Sequence, residues 1–213
     1  MIRLYIHPAA CSLSPHIVAR ELDLEVQIVE VDRGSHRAAD GTDFLAVNPN
    51  GYVPALVLED GEVLLEGPAI VRHLAEMNPA GGLVPRNPSE NRRITSLLNF
   101  IATELHKPMA QMFNPGFAPV KPLLGEQVGA RLDWIVRQFA GDFLNGDRPG
   151  LADFYLFVCL NWCQWLDIDL ARRSRLERFM REVGARPAVL AALAAEGLVH
   201  QPGGVFFAPR AAS

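Results

Sequence analysis

The first third of the chain changes its apolar rhythm every few residues. Leu4-Tyr5-Ile6 is a short apolar run, His16 to Leu22 follows a helical pattern, and Val26-Gln27-Ile28-Val29-Glu30-Val31 alternates with period two. That order predicts strand, helix, strand. A polar stretch from Asp32 to Thr42, expected to hold a helical connection, leads to Pro54-Ala55-Leu56-Val57-Leu58 and Glu62-Val63-Leu64-Leu65. Between these two runs lies Glu59-Asp60-Gly61, whose Asp-Gly favours a hairpin. Gly67-Pro68 then opens a helix reaching Met77, with proline near the first helical position, where its missing N–H costs nothing. The pattern over residues 1–78 is therefore β-α-β-α-β-β-α.

Pro79, Gly81, Gly82, Pro85 and Pro88 then crowd a short stretch, and this density of breakers predicts a linker over 79–88. From 89 to 213 strand signals vanish and the period becomes helical, which predicts an all-α second domain. Ile94, Leu97, Leu98, Ile101, Ala102 and Leu105 form one apolar stripe, while Asn99, Thr103 and His106 share the opposite face. Pro108 is expected to kink or end that helix. Further helices are expected near 124–144, 151–166, 174–183 and 188–196.

Composition narrows the function classes. At 213 residues the chain has room for two domains, and 49% hydrophobic residues against 21% charged supply a real core. A formal charge of -4 with scattered arginines offers no long-range attraction for phosphate backbones or anionic lipid, so neither nucleic acid nor membrane is expected as a partner. The opening apolar run is too short for a secretory segment, and no stretch approaches the ~20 residues of a membrane span. The three cysteines, at 11, 159 and 163, form no disulfide framework. A cytoplasmic location fits these features. Cys159 and Cys163, one helical turn apart beside Trp162 and Trp165, read as core, because a zinc site needs further ligands.

Three constellations in the first domain carry candidate chemistry. Ala10-Cys11-Ser12-Leu13-Ser14-Pro15-His16 puts a thiol between the first strand and the first helix, where unsatisfied N–H groups and the helix dipole favour thiolate over thiol. A small buried residue in a strand-helix turn is the plainer alternative for Cys11, and a helix cap is the plainer one for Ser12. Asn48-Pro49-Asn50-Gly51-Tyr52-Val53-Pro54-Ala55-Leu56 ends a turn-rich loop at a strand. A cis bond before Pro54 would swing the Val53 backbone out to pair with an extended ligand, whereas an ordinary trans proline would not. In Leu65-Glu66-Gly67-Pro68-Ala69-Ile70 a carboxylate precedes a helix N-terminus, a combination that suits an amino-acid zwitterion, or simply a cap.

Taken together, Ala-Cys-Ser at 10–12, Asn-Pro-x-Gly-x-Val-Pro-Ala-Leu at 48–56, Glu-Gly-x-Ala-Ile at 66–70 and Leu-Asn-Phe-Ile-Ala-Thr-Glu-Leu-His-Lys at 98–107 resemble the bacterial beta-class, cysteine-containing glutathione transferases. The resemblance runs from Met1 to about Leu198. It implies a thioredoxin-like α/β domain that binds glutathione, followed by an all-α domain, with the electrophile site between them. It also implies a homodimer that conjugates the glutathione thiolate to small hydrophobic electrophiles, without metal. Cys11, Ser12 and His106 would act at the sulfur. Tyr52, the Val53 backbone beside cis-Pro54, and Glu66 with the Gly67 N–H would hold the tripeptide, joined by Asn99 from the partner subunit, Thr103 and Lys107. Met109, Met112, Phe113 and Phe117 would line the electrophile pocket, although ordinary packing explains such residues equally well. Where relatives carry a lysine for the glycine carboxylate, this chain reads Arg33-Gly34-Ser35-His36-Arg37, and His36 is the expected substitute. Gly67 stands where relatives have serine, and Gly150-Leu151-Ala152-Asp153 stands where they have a hydroxyl cap three residues before the aspartate. Two other readings use the same residues: a glutathione-dependent thiol-disulfide reductase or dehalogenase working through Cys11, and a non-catalytic binding protein on the same scaffold.

Overall fold

Strand β1 (Ile2–Ile6) pairs in parallel with β2 (Val26–Glu30) and antiparallel with β3 (Ala55–Val57), which pairs antiparallel with β4 (Val63–Leu65). The sheet order is β2-β1-β3-β4. Helix α1 (Leu13–Glu21) makes the crossover, the short α2 (Phe44–Val47) follows the polar stretch, and α3 (Gly67–Met77) follows the hairpin. This is the predicted β-α-β-α-β-β-α order of a thioredoxin-like domain. Alternation along the strands sends Tyr5, Val29, Val31, Ala55 and Val57 to one face, where they bury Phe44 and Ala38. Leu4, Ile6 and Leu56, of opposite parity, are also fully covered.

The computed structural model describes residues 1–201 and 205–209, and the chain divides into two units. The first unit is Met1–Val84 together with Arg186–His200 and the strand Phe207–Pro209. The second is Pro85–Ala185 with the described residues of 201–206. The division between Val84 and Pro85 falls inside the stretch expected to be a linker.

Helix α4 (Pro88–Phe100) opens the second unit and continues as a π-helix over Ile101–His106 into α5 (Lys107–Met112). After a 3₁₀ segment, Pro115–Val120, come α6 (Lys121–Val136), α7 (Leu151–Asn161) and α8 (Ser174–Gly184). Every residue of α7 is buried, as a helix that is apolar all round requires. Cys159 and Cys163 lie buried at its end and in the following 3₁₀ turn.

The expectation of an all-helical segment over 89–213 needs correction twice. Helix α9 (Pro187–Ala195) packs on α1 and belongs to the first unit, tied there by an ion pair between Arg186 and Glu21. Beyond it, β5 (Leu198–His200) pairs antiparallel with β6 (Phe207–Pro209). Helical periodicity identifies α9 as a helix but says nothing of what it packs against. Residues 202–204 and 210–213 of that segment lie outside the described residues.

Candidate active site

The loop from β1 to α1 is knotted by short backbone bonds. Ser12 Oγ accepts from the His7 N–H at 3.1 Å and donates to the His7 carbonyl at 3.2 Å, while the Ala10 N–H donates to the same carbonyl. Ser12 is fully buried, and its hydroxyl is committed in both directions. These bonds shape the turn that carries Cys11. The half-buried Cys11 points its Sγ at the Val53 carbonyl, 3.3 Å away. Burial pushes the thiol up to about 12, outweighing the N–H groups of Cys11 and Ser12 and the charge of Arg33, all of which pull it down. In the unliganded protein desolvation thus works against the start of the helix, which favours thiolate. Cys11 rests as a hydrogen-bond donor.

Val53 precedes a cis bond to Pro54, so the chain enters β3 in the geometry that the loop composition allowed. Asn48 is buried and holds this loop from within, donating to the Tyr52 carbonyl at 2.7 Å and accepting from the Asn50 N–H at 3.1 Å. The Tyr52 side chain itself is 75% exposed. Gly51 has φ +69, and a Cβ there would meet the His36 ring at 3.0 Å, so both backbone and space require glycine. His36 therefore sits against Gly51 of the Asn48–Tyr52 loop.

Glu66 is exposed and caps α3 with φ +70, and among the described residues its side chain has no partner. Since Pro68 has no N–H, the Gly67 N–H is left as the first unsatisfied donor of that helix. Five described residues other than glycine have positive φ, and three of them, Ala9, His36 and Glu66, fall in the segments singled out above. Strain concentrated in this way is a mark of a functional site.

In the second unit the π-helix changes the register on which the polar face was predicted. The Lys107 N–H reaches back five residues to the Ala102 carbonyl, a step that accommodates Pro108, which has no N–H to give Glu104. Asn99 and Thr103 remain exposed, with Thr103 Oγ1 donating to the Asn99 carbonyl at 3.0 Å. His106 instead turns inward, so the three do not form one stripe. Its Nδ1 lies 2.6 Å from Tyr155 Oη, and its ring meets Trp162 edge-on at 5.1 Å. Burial, aided by the charge of Lys107, pushes His106 down to about 4, leaving a neutral imidazole. Lys107 is exposed.

Met109 is completely buried and Met112 nearly so. Phe113 and Phe117 keep exposed faces. A cavity of about 370 Å³ in this unit is lined by Asp142, Ser174, Arg175, Arg178 and Arg181, and by none of the candidates. No group of three or more metal-ligating side chains occurs among the described residues, and no described helix is long and apolar enough to cross a membrane. Sequence reasoning missed Tyr155 and Glu196. The latter is a buried carboxylate that accepts from the Ala9 N–H, and no local pattern marked it.

Comparison with known proteins matches these two sets of residues to two parts of one family. The glutathione S-transferase N-terminal domain matches residues 10–77, and the glutathione S-transferase C-terminal domain matches 100–187. The chain belongs to the glutathione S-transferase family. Among transferases of this family, it is 38% identical over 200 residues to glutathione S-transferase GstA of Escherichia coli O157:H7, covering 92% of this chain and all of that one. A sphingomonad glutathione S-transferase solved in complex with glutathione shares 42% identity, with a TM-score of 0.87 over 92% of this chain and all of that chain. The beta-class glutathione S-transferase of Sphingomonas chungbukensis shares 38% identity with the same TM-score and coverage. The chain is thus a bacterial-type glutathione S-transferase enzyme close to the beta class.

Proposed function

We propose that this enzyme conjugates the thiolate of glutathione to small hydrophobic electrophiles. The observation that carries the reading is the placement of Cys11, whose Sγ lies 3.3 Å from the Val53 carbonyl beside the cis bond to Pro54. A thiol that keeps its proton is a poor nucleophile, and its S–H, though a weak donor, stays available to an acceptor. Its S–H, turned from Val53 toward an incoming sulfur, would stabilise glutathione as the thiolate, with glutathione's own thiol proton released to water; that thiolate attacks the electrophilic carbon and the leaving group departs with the bonding pair. The protein supplies the donor and the tripeptide supplies the nucleophile. A reductase or dehalogenase would instead attack through Cys11 itself.

The remaining assignments follow from the chemistry of each position. The Val53 backbone pairs with the cysteinyl portion, next to Tyr52 and Pro54. Glu66 takes the γ-glutamyl ammonium, the Gly67 N–H takes its carboxylate, and His36 takes the glycine carboxylate. His106 offers Nε2, which has no hydrogen-bond partner among the described residues. Asn99, Thr103 and Lys107 contribute from an exposed helical surface, Asn99 in the partner subunit of a homodimer. Phe113 and Phe117 bind the electrophile. A chain with only three cysteines suits a reducing, cytoplasmic location.

Calorimetry with glutathione on the reduced protein, paired with turnover of a chloronitrobenzene, tests the reading in wild type and Glu66→Ala. Removing one charge-assisted partner is expected to weaken binding by about 10- to 100-fold, or ~1.5–3 kcal/mol. Absence of binding to the wild type sinks the proposal.

A further inference from the structure

His106 and Tyr155 lie 49 residues apart in the second unit, yet two separate devices bring them into contact. The first is the π-turn ahead of Pro108. By adding a residue to the turn that ends at Lys107, it takes His106 off the exposed face of Asn99 and Thr103 and toward α7. The second is α7 itself, buried along its whole length, whose Tyr155 is 3% exposed and sets Oη 2.6 Å from His106 Nδ1. The imidazole is gripped by rings as well. Tyr155 and Trp162 meet it edge-on, with centroids at 5.7 and 5.1 Å. These contacts fix where the ring lies, and the hydrogen bond fixes which nitrogen carries the proton.

The direction of that bond follows from the two groups. A phenol is a stronger acid than the N–H of a neutral imidazole, and an imidazole nitrogen is a stronger base than a phenol oxygen, so Tyr155 O–H donates to Nδ1. Burial keeps the ring neutral, and only a neutral ring has a nitrogen free to accept. The proton then sits on Nε2, on the other side of the ring from Tyr155, where no hydrogen-bond partner occurs among the described residues. We infer that Tyr155 is a positioning residue that holds His106 as an Nε2–H donor. Held in this way, His106 is not a base that takes a proton from a ligand thiol, because its basic nitrogen is already occupied. It can only donate, to an anionic atom such as a thiolate sulfur. The use of that donor at glutathione rests on the reading given above; the tautomer does not.

The test is NMR of nitrogen-labelled histidine side chains on the reduced protein at neutral pH, which tells a protonated ring nitrogen from a bare one, with His106→Gln assigning the His106 signals by their loss. The wild type is expected to show Nδ1 bare and Nε2 protonated. Tyr155→Phe, which removes only the hydroxyl, is expected to show an average of the two tautomers. A wild-type proton on Nδ1, or one shared between both nitrogens, overturns the inference, and so does a Tyr155→Phe spectrum equal to that of the wild type. If Tyr155→Phe does not fold, the wild-type spectrum decides alone, since a bare Nδ1 at 2.6 Å from Oη must be accepting. The ultraviolet absorbance of bound thiolate at saturating glutathione gives a second readout. The thiolate fraction is expected to fall about threefold in Tyr155→Phe and about tenfold in His106→Asn, whose amide reaches only the place of Nδ1. His106→Gln, whose amide N–H can stand in for Nε2–H, is expected to lose less than His106→Asn. The reverse order would make Nε2 an acceptor and overturn the inference. The fixed tautomer in a wild type that binds no glutathione keeps the inference and removes the glutathione reading instead.

Discussion

Each unit contains a buried carboxylate that pins a loop by accepting from its backbone, yet the two are built on opposite scales. In the helical unit Asp153 accepts from Leu144 at 2.7 Å, Asn145 at 3.3 Å and Gly150 at 2.9 Å, partners three to nine residues away. In the first unit Glu196 accepts from Ala9 and His16, which are 187 and 180 residues away. The local carboxylate fixes the start of a single helix. The distant one joins a strand-helix turn to a helix laid down at the end of the chain, and so makes the turn around Cys11 depend on the completed fold. A site can thus be assembled from residues whose local pattern is strong while one of its turns is held by a residue that has none.

The largest effect should come from breaking both carboxylates. Asp153→Ala leaves three N–H groups without their acceptor and is expected to cost about 3–5 kcal/mol, read as a shift of the urea midpoint at constant slope. Glu196→Ala leaves one N–H and one imidazole N–H and is expected to cost about 2–3 kcal/mol. If Glu196→Ala proves the costlier, the long-range bridge is holding more than one turn and the contrast between the two carboxylates reverses.

The same contrast explains what was legible in the sequence. The four strands of the main sheet, α1, α3 and the start of the second unit followed from period and punctuation, because each depends on neighbours within a few residues. The Asp153 loop could be read from Gly150-Leu151-Ala152-Asp153, since a capping carboxylate lies at fixed spacing from its donors. The segments around Cys11, Val53 and Glu66 were legible as places, and their resemblance to a family gave them roles. The protonation state of Cys11 was not legible: the helix start argues for thiolate and the burial around Sγ works against it. Nor was the inward turn of His106, because a face drawn at 3.6 residues per turn does not anticipate a π-helix, although Pro108 supplied its physical cause. The return of α9 to the first unit was invisible, since a helix's partner is not written in its own period.

A smaller effect concerns pH. Burial raises Asp153 to about 7, while it lowers His106, in the same unit, to about 4. The raised carboxyl contributes stability that is present below its unfolded value, near 4, and lost as pH rises toward 7. The depressed histidine contributes stability that is present above its unfolded value, near 6.5, and lost as pH falls toward 4. The two oppose each other across one window. His106→Gln removes the second contribution, so its stability relative to wild type should improve by about 1–2 kcal/mol between pH 6.5 and pH 4, measured by urea unfolding at each pH. A relative stability that stays flat across that window would mean that His106 is hydrated enough to protonate in place.

The smallest effect isolates the backbone of the Cys11 turn from the carboxylate that holds it. Ala9 at φ +61 carries a Cβ in a region that costs an L-residue about 1–2 kcal/mol. Glycine removes that strain and keeps the N–H that donates to Glu196, but it also enlarges the freedom of the unfolded chain, which costs about 0.4–1 kcal/mol. Ala9→Gly is therefore expected to stabilise the protein slightly, by about 0.5 kcal/mol, and to leave the rate of Cys11 alkylation by iodoacetamide unchanged while Glu196 is present. In the Glu196→Gln background the same substitution should speed alkylation, because a glycine turn without its anchor has more conformations in which Sγ meets water. If Ala9→Gly alone loosens Cys11, the turn is held by its own alanine. In that case the short-range logic of the Asp153 loop governs the first unit as well.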